Sequence, residues 1–248
     1  MGMGDLFLSR RRLLFTAGAG ALGVAVLGSC SSSSPPPPAE PPDTPVPAAS
    51  GAVAGDWRRV DRTIVAAYIL VRGREAAIVD LGTIGSEAAI EQGLKAAGAS
   101  WKSVRHIVLT HMHADHVGGL PEIAPLVGAK LYCGMGDLYS IASPKELKPV
   151  AEGDEIFGLR IIETPGHTSG HISVFEPSTG ILVAGDALRT SNGLEGSDPP
   201  NTENETQANA SVRKLAGLDV KAILPGHGRP LTAGASKALK ALAAGLPA

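Results

Sequence analysis

From about residue 56 onward the chain alternates short apolar runs with longer stretches in which apolar residues return every three or four positions. Thr63–Val71 and Ala76–Val79 read as a pair of strands turned at Gly73, since β-branched and apolar residues fill both runs and glycine supplies the turn. Further short buried strands are predicted at Val104–Leu109, Lys130–Tyr132, Ile161–Ile162, Ile172–Phe175, Ile181–Ala184 and Ala222–Leu224. Helical spacing covers Ser86–Ala97, Pro121–Leu126, Thr206–Leu215 and Gly234–Ala244. Ser86 and Thr206 are the expected N-caps, and Gly98 stands where a terminating glycine closes the first helix. Strands and helices mixed in this way predict an α/β fold of sheets covered by helices on their outer faces. The strands between Ile161 and Ala184 follow one another too closely for crossover helices, which favours an antiparallel or mixed sheet over a doubly wound one.

The first 55 residues carry neither period. Arg10, Arg11 and Arg12 precede an uncharged run from Leu13 to Ser29, the layout of an export signal. The glycines in that run weaken it as a spanning helix. Ser31–Ser34 and Pro35–Pro38 then open a stretch of Pro, Ala and acidic residues with almost nothing apolar to bury, which reads as a disordered tether. The expected organisation is a signal over 1–29, a tether over 30–55 and a folded domain over 56–248. Ser9–Leu14 resembles the bacterial twin-arginine export motif, and Leu27-Gly28-Ser29-Cys30 resembles a lipobox. That resemblance implies cleavage before Cys30 and lipid attachment to its sulfur. The protein would then be exported and lipid-anchored on the outer face of the bacterial cytoplasmic membrane, in the periplasm or at the cell surface.

Composition narrows the chemistry. With 22 basic against 24 acidic residues, a net charge of −2 and 4% aromatics, the chain offers neither a basic footprint nor stacking platforms for nucleic acid. Its two cysteines, Cys30 and Cys133, are too few for a disulfide scaffold or a thiolate cluster, so a metal site must rest on histidine and carboxylate. Such residues cluster where the apolar runs stop. After Ile107-Val108-Leu109 come His111, His113, Asp115 and His116 within six residues. In extended chain His111 and His113 share one side, and Asp115 and His116 follow as the backbone turns into a helix, so all four can converge. His167, Asp186 and His227 each follow a glycine just after an apolar strand, where a sharp turn brings backbone close to a site. Burying five imidazoles and two carboxylates without a cation would carry a heavy desolvation cost. The donor set suits Zn²⁺, with Fe or Mn as alternatives and Ca²⁺ or Mg²⁺ disfavoured. His106 reads as an ordinary structural histidine. His171, four residues beyond His167, is a candidate to support a ligand from behind.

Thr110–Gly119, Gly166-His167, Gly185-Asp186, Pro225-Gly226-His227 and the early turn Val79-Asp80-Leu81-Gly82 together resemble the motifs of the metallo-β-lactamase superfamily. The resemblance implies an αββα sandwich of two mixed sheets with helices on the outer faces and the metal site at one edge between the sheets. By position His111, His113 and His167 would hold one metal, and Asp115, His116 and His227 a second. Asp186 would bridge them, and Asp80 would orient a ligand histidine. Two Zn²⁺ ions in that arrangement imply a binuclear metal-dependent hydrolase that uses a metal-bridging hydroxide, with Asp115 orienting the nucleophile and moving its proton. A carboxylate at position 186 is similar to glyoxalase II-like and lactonase-like members, whereas β-lactamases of the superfamily generally carry Cys or Ser there. The expected substrate is therefore a small molecule with an ester, lactone or thioester bond. Two alternatives stand beside this one. The first is a persulfide dioxygenase-like enzyme with a single iron on His111, His113 and Asp186. The second is a non-catalytic metal- or ligand-binding surface lipoprotein, against which the presence of Asp115 speaks. Nothing in the sequence sets the oligomeric state.

Overall fold

The computed structural model describes residues 50–247. The expected signal, Cys30 and the tether as far as residue 49 lie outside the described residues. The first sheet is built from β1 (Gly51–Ala54), β2 (Trp57–Arg62), β3 (Val65–Arg72) and β4 (Glu75–Val79) as an antiparallel meander. It continues in parallel through β5 (Val104–Val108), β6 (Lys130–Gly134) and β7 (Leu147–Val150), in spatial order one to seven. Helix α1 (Glu87–Ala96) makes the crossover from β4 to β5, while the short helices α2 (Ala114–Val117) and α3 (Leu120–Ile123) follow β5. The second sheet holds β8 (Glu155–Ile156), β9 (Leu159–Glu163), β10 (Ile172–Glu176) and β11 (Ile181–Gly185), all antiparallel. Beyond α4 (Glu205–Ala216), β12 (Ala222–Pro225) adds in parallel to β11, and α5 (Ala235–Gly245) ends the described chain.

The two-residue period of the strands sorts their side chains into layers. Along β3, Ala67 and Ile69 pack on Ile90 and Leu94 of α1, while Ala66, Tyr68 and Leu70 face the other sheet. Along β11, Val183 meets that central layer and Leu182 and Ala184 pack under Val212 and Leu215 of α4 and Leu239 of α5. Helix, sheet, sheet, helix is the expected αββα sandwich, and strands apolar on both faces are its consequence.

Several boundaries differ from expectation for identifiable reasons. β1 lies inside the segment expected as tether: its side chains are partly or fully exposed, so it forms by backbone pairing with β2 and leaves little apolar signal. The predicted strand Thr63–Val71 is in fact β3 preceded by β2, with the hairpin turned at Thr63, whose φ is 69°. β2 is masked in the sequence by its three arginines, one of which, Arg59, is buried. Thr206 is not a cap. Asn204 is, its side chain accepting from Gln207 N–H at 3.0 Å, which starts α4 at Glu205. Ser86 precedes α1 without capping it and donates instead to the Thr83 carbonyl at 2.6 Å. Gly98 closes α1 as expected with φ 71°. β7 and β8 escape the sequence pattern because one is an edge strand carrying Pro149 and the other has two residues.

Candidate metal centre

All of the site's side chains leave the ends of strands at one edge of the sandwich. β5 runs into Thr110–His113 and α2, β9 and β10 are joined by the loop carrying His167, and β11 and β12 end at Asp186 and His227. The structure brings all seven candidate ligands together. His113 Nδ1 lies 3.1 Å from His111 Nε2 and 2.9 Å from His167 Nε2. Asp115 Oδ2 is 3.2 Å from His227 Nε2 and 3.7 Å from His116 Nε2. Asp186 stands between the two groups, with Oδ1 3.2 Å from His116 Nε2 and Oδ2 3.1 Å from His227 Nε2 and 3.5 Å from His167 Nε2. The donor atoms of His111, His113 and His167 lie within 4.8 Å of one another, as do those of Asp115, His116 and His227, and of His111, His116 and Asp186.

Hydrogen bonds on the far side of the rings decide which nitrogen faces inward. Asp80, buried at φ 60°, accepts from Thr110 N–H at 2.7 Å, Thr110 Oγ1 at 2.8 Å and His116 Nδ1 at 2.8 Å. Asp80 thereby fixes the His116 ring. Because Thr110 Oγ1 donates to Asp80, it accepts from His111 Nδ1 at 3.0 Å. His227 Nδ1 donates to the Ile64 carbonyl at 2.7 Å, and His167 Nδ1 meets Ser197 Oγ at 2.9 Å. His111, His116, His167 and His227 therefore each turn Nε2 to the common centre, His113 turns Nδ1, and three of the four outer nitrogens are committed as donors. Five inward nitrogens and two carboxylates form a set of lone pairs that fits divalent cations. Asp186 Oδ1 is buried without a well-formed hydrogen bond, an orphaned acceptor that a cation could satisfy.

Electrostatics agree. Burial holds His111 well below the ordinary histidine range and His167 down at about 4, so both are neutral and able to ligate. Burial alone would pull His227 down, but hydrogen bonds to Asp115 and Asp186 push it up to about 10. His116 is likewise raised against its burial by Asp186 and Asp80. The His227 hydrogen bond holds Asp115 below the usual carboxylate value.

His171 sits behind the cluster. Its Nε2 accepts from the Asp186 backbone N–H at 3.0 Å, its Nδ1 meets Thr164 Oγ1 at 2.8 Å, and burial pushes it down to about 3. It props the Asp186 turn as a neutral ring. Gly185, at φ 53°, is required there: a Cβ would fall 2.7 Å from His171 Nε2 and 2.9 Å from Thr110 Cβ. At Gly226 a Cβ would press on Asp186 and lie 2.7 Å from His116 Cε1. His106 is remote from the cluster's contacts and packs beside Tyr132 and Phe157. Cys133, on β6, is a buried free thiol pushed up to about 11 by burial.

Supporting residues carry no signal in the sequence. Buried Arg59 donates to the Gly228 carbonyl at 2.8 Å and to Tyr68 Oη at 3.0 Å, and Tyr68 Oη donates to the Pro225 carbonyl at 2.7 Å. Together they clamp the turn that carries His227. The others are Ser197, which meets His167 Nδ1, and Asp137, which accepts from the Met112 N–H at 2.9 Å. Only the excess of glycine around Asp137 could have indicated that backbone comes close there. The cluster opens into a cavity of about 550 Å³ bordered by Ile64, His113, Asp115, Arg189, Asn201 and His227.

The family model of the metallo-beta-lactamase superfamily matches residues 60–227, a segment that contains all seven clustered residues. The chain belongs to the metallo-β-lactamase superfamily. Metallo-beta-lactamase domain-containing protein 1 of Xenopus laevis is 30% identical to it over 183 residues, covering 72% of this chain and 75% of that protein. Hydroxyacylglutathione hydrolase of Rhodobacter capsulatus is 37% identical over 89 residues, 34% of this chain and 34% of its own length. A metallo-beta-lactamase family protein from Thermus thermophilus shares the fold with a TM-score of 0.63 at 24% identity, covering 76% of this chain and 78% of that one. Within this superfamily fold the site occupies the expected edge, where strand ends from both sheets meet.

Proposed function

We propose that this chain is a binuclear, zinc-dependent hydrolase acting on an ester, lactone or thioester bond of a small molecule. The observation that carries the reading is Asp186, whose Oδ2 lies 3.5 Å from His167 Nε2 of one group and 3.1 Å from His227 Nε2 of the other, while Oδ1, 3.2 Å from His116 Nε2, is buried without a well-formed hydrogen bond. His111, His113 and His167 would hold one ion, Asp115, His116 and His227 the other, and Asp186 would touch both. When bound, two such ions supply a water nucleophile at neutral pH and polarise the carbonyl under attack. The chain's own part is positioning and proton transfer. Asp115 borders the cavity, about 29% exposed and held by His227, and its lowered pKa keeps it ionised at neutral pH. It orients the attacking water, takes its proton and returns it to the leaving oxygen or sulfur. Ile64, Asn201 and the ion-paired Arg189 and Asp198 on the cavity wall face the rest of the substrate.

The carboxylate at position 186 favours esters and thioesters over β-lactams, and the partial likeness to hydroxyacylglutathione hydrolases points the same way. Chelation and reloading test this reading with a panel of ester, lactone, thioester, phosphodiester and β-lactam substrates. Turnover of a carbonyl ester, lactone or thioester that chelation abolishes and zinc restores is the expected result. Turnover of β-lactams alone, or of nothing in the panel, overturns it. The same proposal places the enzyme outside the cytoplasm, tethered by lipid on Cys30.

A further inference from the structure

The two sheets are tied together beside the three-histidine group by a buried carboxylate that touches none of the proposed ligands. Asp137, wholly buried in the turn after β6, accepts three hydrogen bonds. Its Oδ2 takes the Met112 N–H at 2.9 Å and Thr168 Oγ1 at 2.7 Å, and its Oδ1 takes the Gly170 N–H at 2.8 Å. Met112 stands between His111 and His113. Thr168 follows His167. The carboxylate thus joins the loop carrying two of the three histidines to the loop carrying the third, and it reaches across from the first sheet to the second.

Glycine makes the approach feasible. A Cβ at Gly170 would collide with Asp137, one at Gly134 would collide with the Gly170 carbonyl, and one at Gly136 would sit 2.7 Å from Gly170 N. Three glycines therefore let the two backbones lie against each other so that one short side chain can span them. The Asp137 side chain answers N–H and O–H donors that would otherwise lack an acceptor, at a cost that falls on the loop geometry.

We propose that Asp137 is a positioning residue that sets the separation between the His111–His113 loop and His167, and so the affinity of the three-histidine group for its metal. The inference rests on the reading of those histidines as ligands. Asp137→Asn puts an amide NH₂ against one set of donors, and Thr168→Val removes a single hydrogen bond. Both are made in the full chain, along with His113→Ala and, as a control for plain loss of stability, Leu239→Ala in the distant helical layer of the second sheet. Zinc affinity is read by competition with a chromophoric chelator, and thermal unfolding is read without metal. Asp137→Asn is expected to weaken zinc binding by the three-histidine group about 10- to 100-fold, and Thr168→Val about 2- to 10-fold. Leu239→Ala should unfold at lower temperature with zinc affinity unchanged. Wild-type affinity in Asp137→Asn overturns the proposal, as does an equal loss in Leu239→Ala. If Asp137→Asn does not fold, Thr168→Val decides by the same criterion. Lost affinity in His113→Ala beside wild-type affinity in Asp137→Asn leaves the metal reading intact. Wild-type affinity in His113→Ala overturns the metal reading itself.

Discussion

Asp115 and His227 form the pair on which proton handling turns, because they meet at 3.2 Å on the open side of the cluster. Asp115→Asn keeps the size of the side chain and removes its charge. Turnover is expected to fall about 10²- to 10⁴-fold while the unfolding temperature hardly changes, which steady-state kinetics and a thermal melt on the same preparation will check. Turnover equal to wild type contradicts the proton-transfer role. A second consequence concerns pH. Because Asp115 and Asp186 raise His227 to about 10, a cation must displace its proton at neutral pH, and the raised His116 adds to the effect. Zinc affinity should therefore rise as pH is raised toward that value and fall as it is lowered. Calorimetry in two buffers of different ionisation enthalpy should show protons released on binding, and equal heats in both buffers would contradict it.

At the scale of elements, the ends of strands carry the site, and those ends are legible because an apolar run followed by Gly and a polar ligand type is a strong local pattern. His167, Asp186 and His227 stand out in that way, and Asp80 through the turn that follows its strand. The supporting residues do not, for a physical reason: Asp137, Arg59 and Ser197 act across 25, 169 and 30 positions of sequence respectively. Neither periodicity nor spacing reports a hydrogen bond of that range. Arg59 also hides a strand, since a buried arginine breaks the alternation that would have marked β2. The start of α4 shows the same limit locally. Thr206 and Asn204 are both acceptable caps by residue type, and only the backbone shows that Asn204, at φ −147°, takes the role. Asn204→Ala should cost about 0.5–2 kcal/mol of stability, whereas Thr206→Ala should stay within about 0.5 kcal/mol. Denaturant unfolding of the two variants distinguishes the cap directly, and equal losses would contradict the assignment.

At the scale of the whole molecule, the fold brings ligands from both sheets to one edge, so the site exists only when the sandwich is closed. Export in the folded state, as the twin-arginine resemblance implies, would suit a protein whose ligands converge only on folding. Among the described residues no helix is long and apolar enough to cross a membrane. The proposed attachment is through lipid on Cys30, outside those residues. Two acyl chains would hold where one would not. Cys30→Ser should accumulate as unprocessed, unlipidated precursor, read by mobility and fractionation of membranes. Processing and fractionation like wild type would contradict the anchor. Beneath all of this, seven converging side chains are proposed to make a site for two metal ions that share Asp186. Elemental analysis of purified protein tests it most directly. Close to two zinc per chain, falling in His113→Ala, is the predicted result. A single iron per chain with no second-site metal would contradict it.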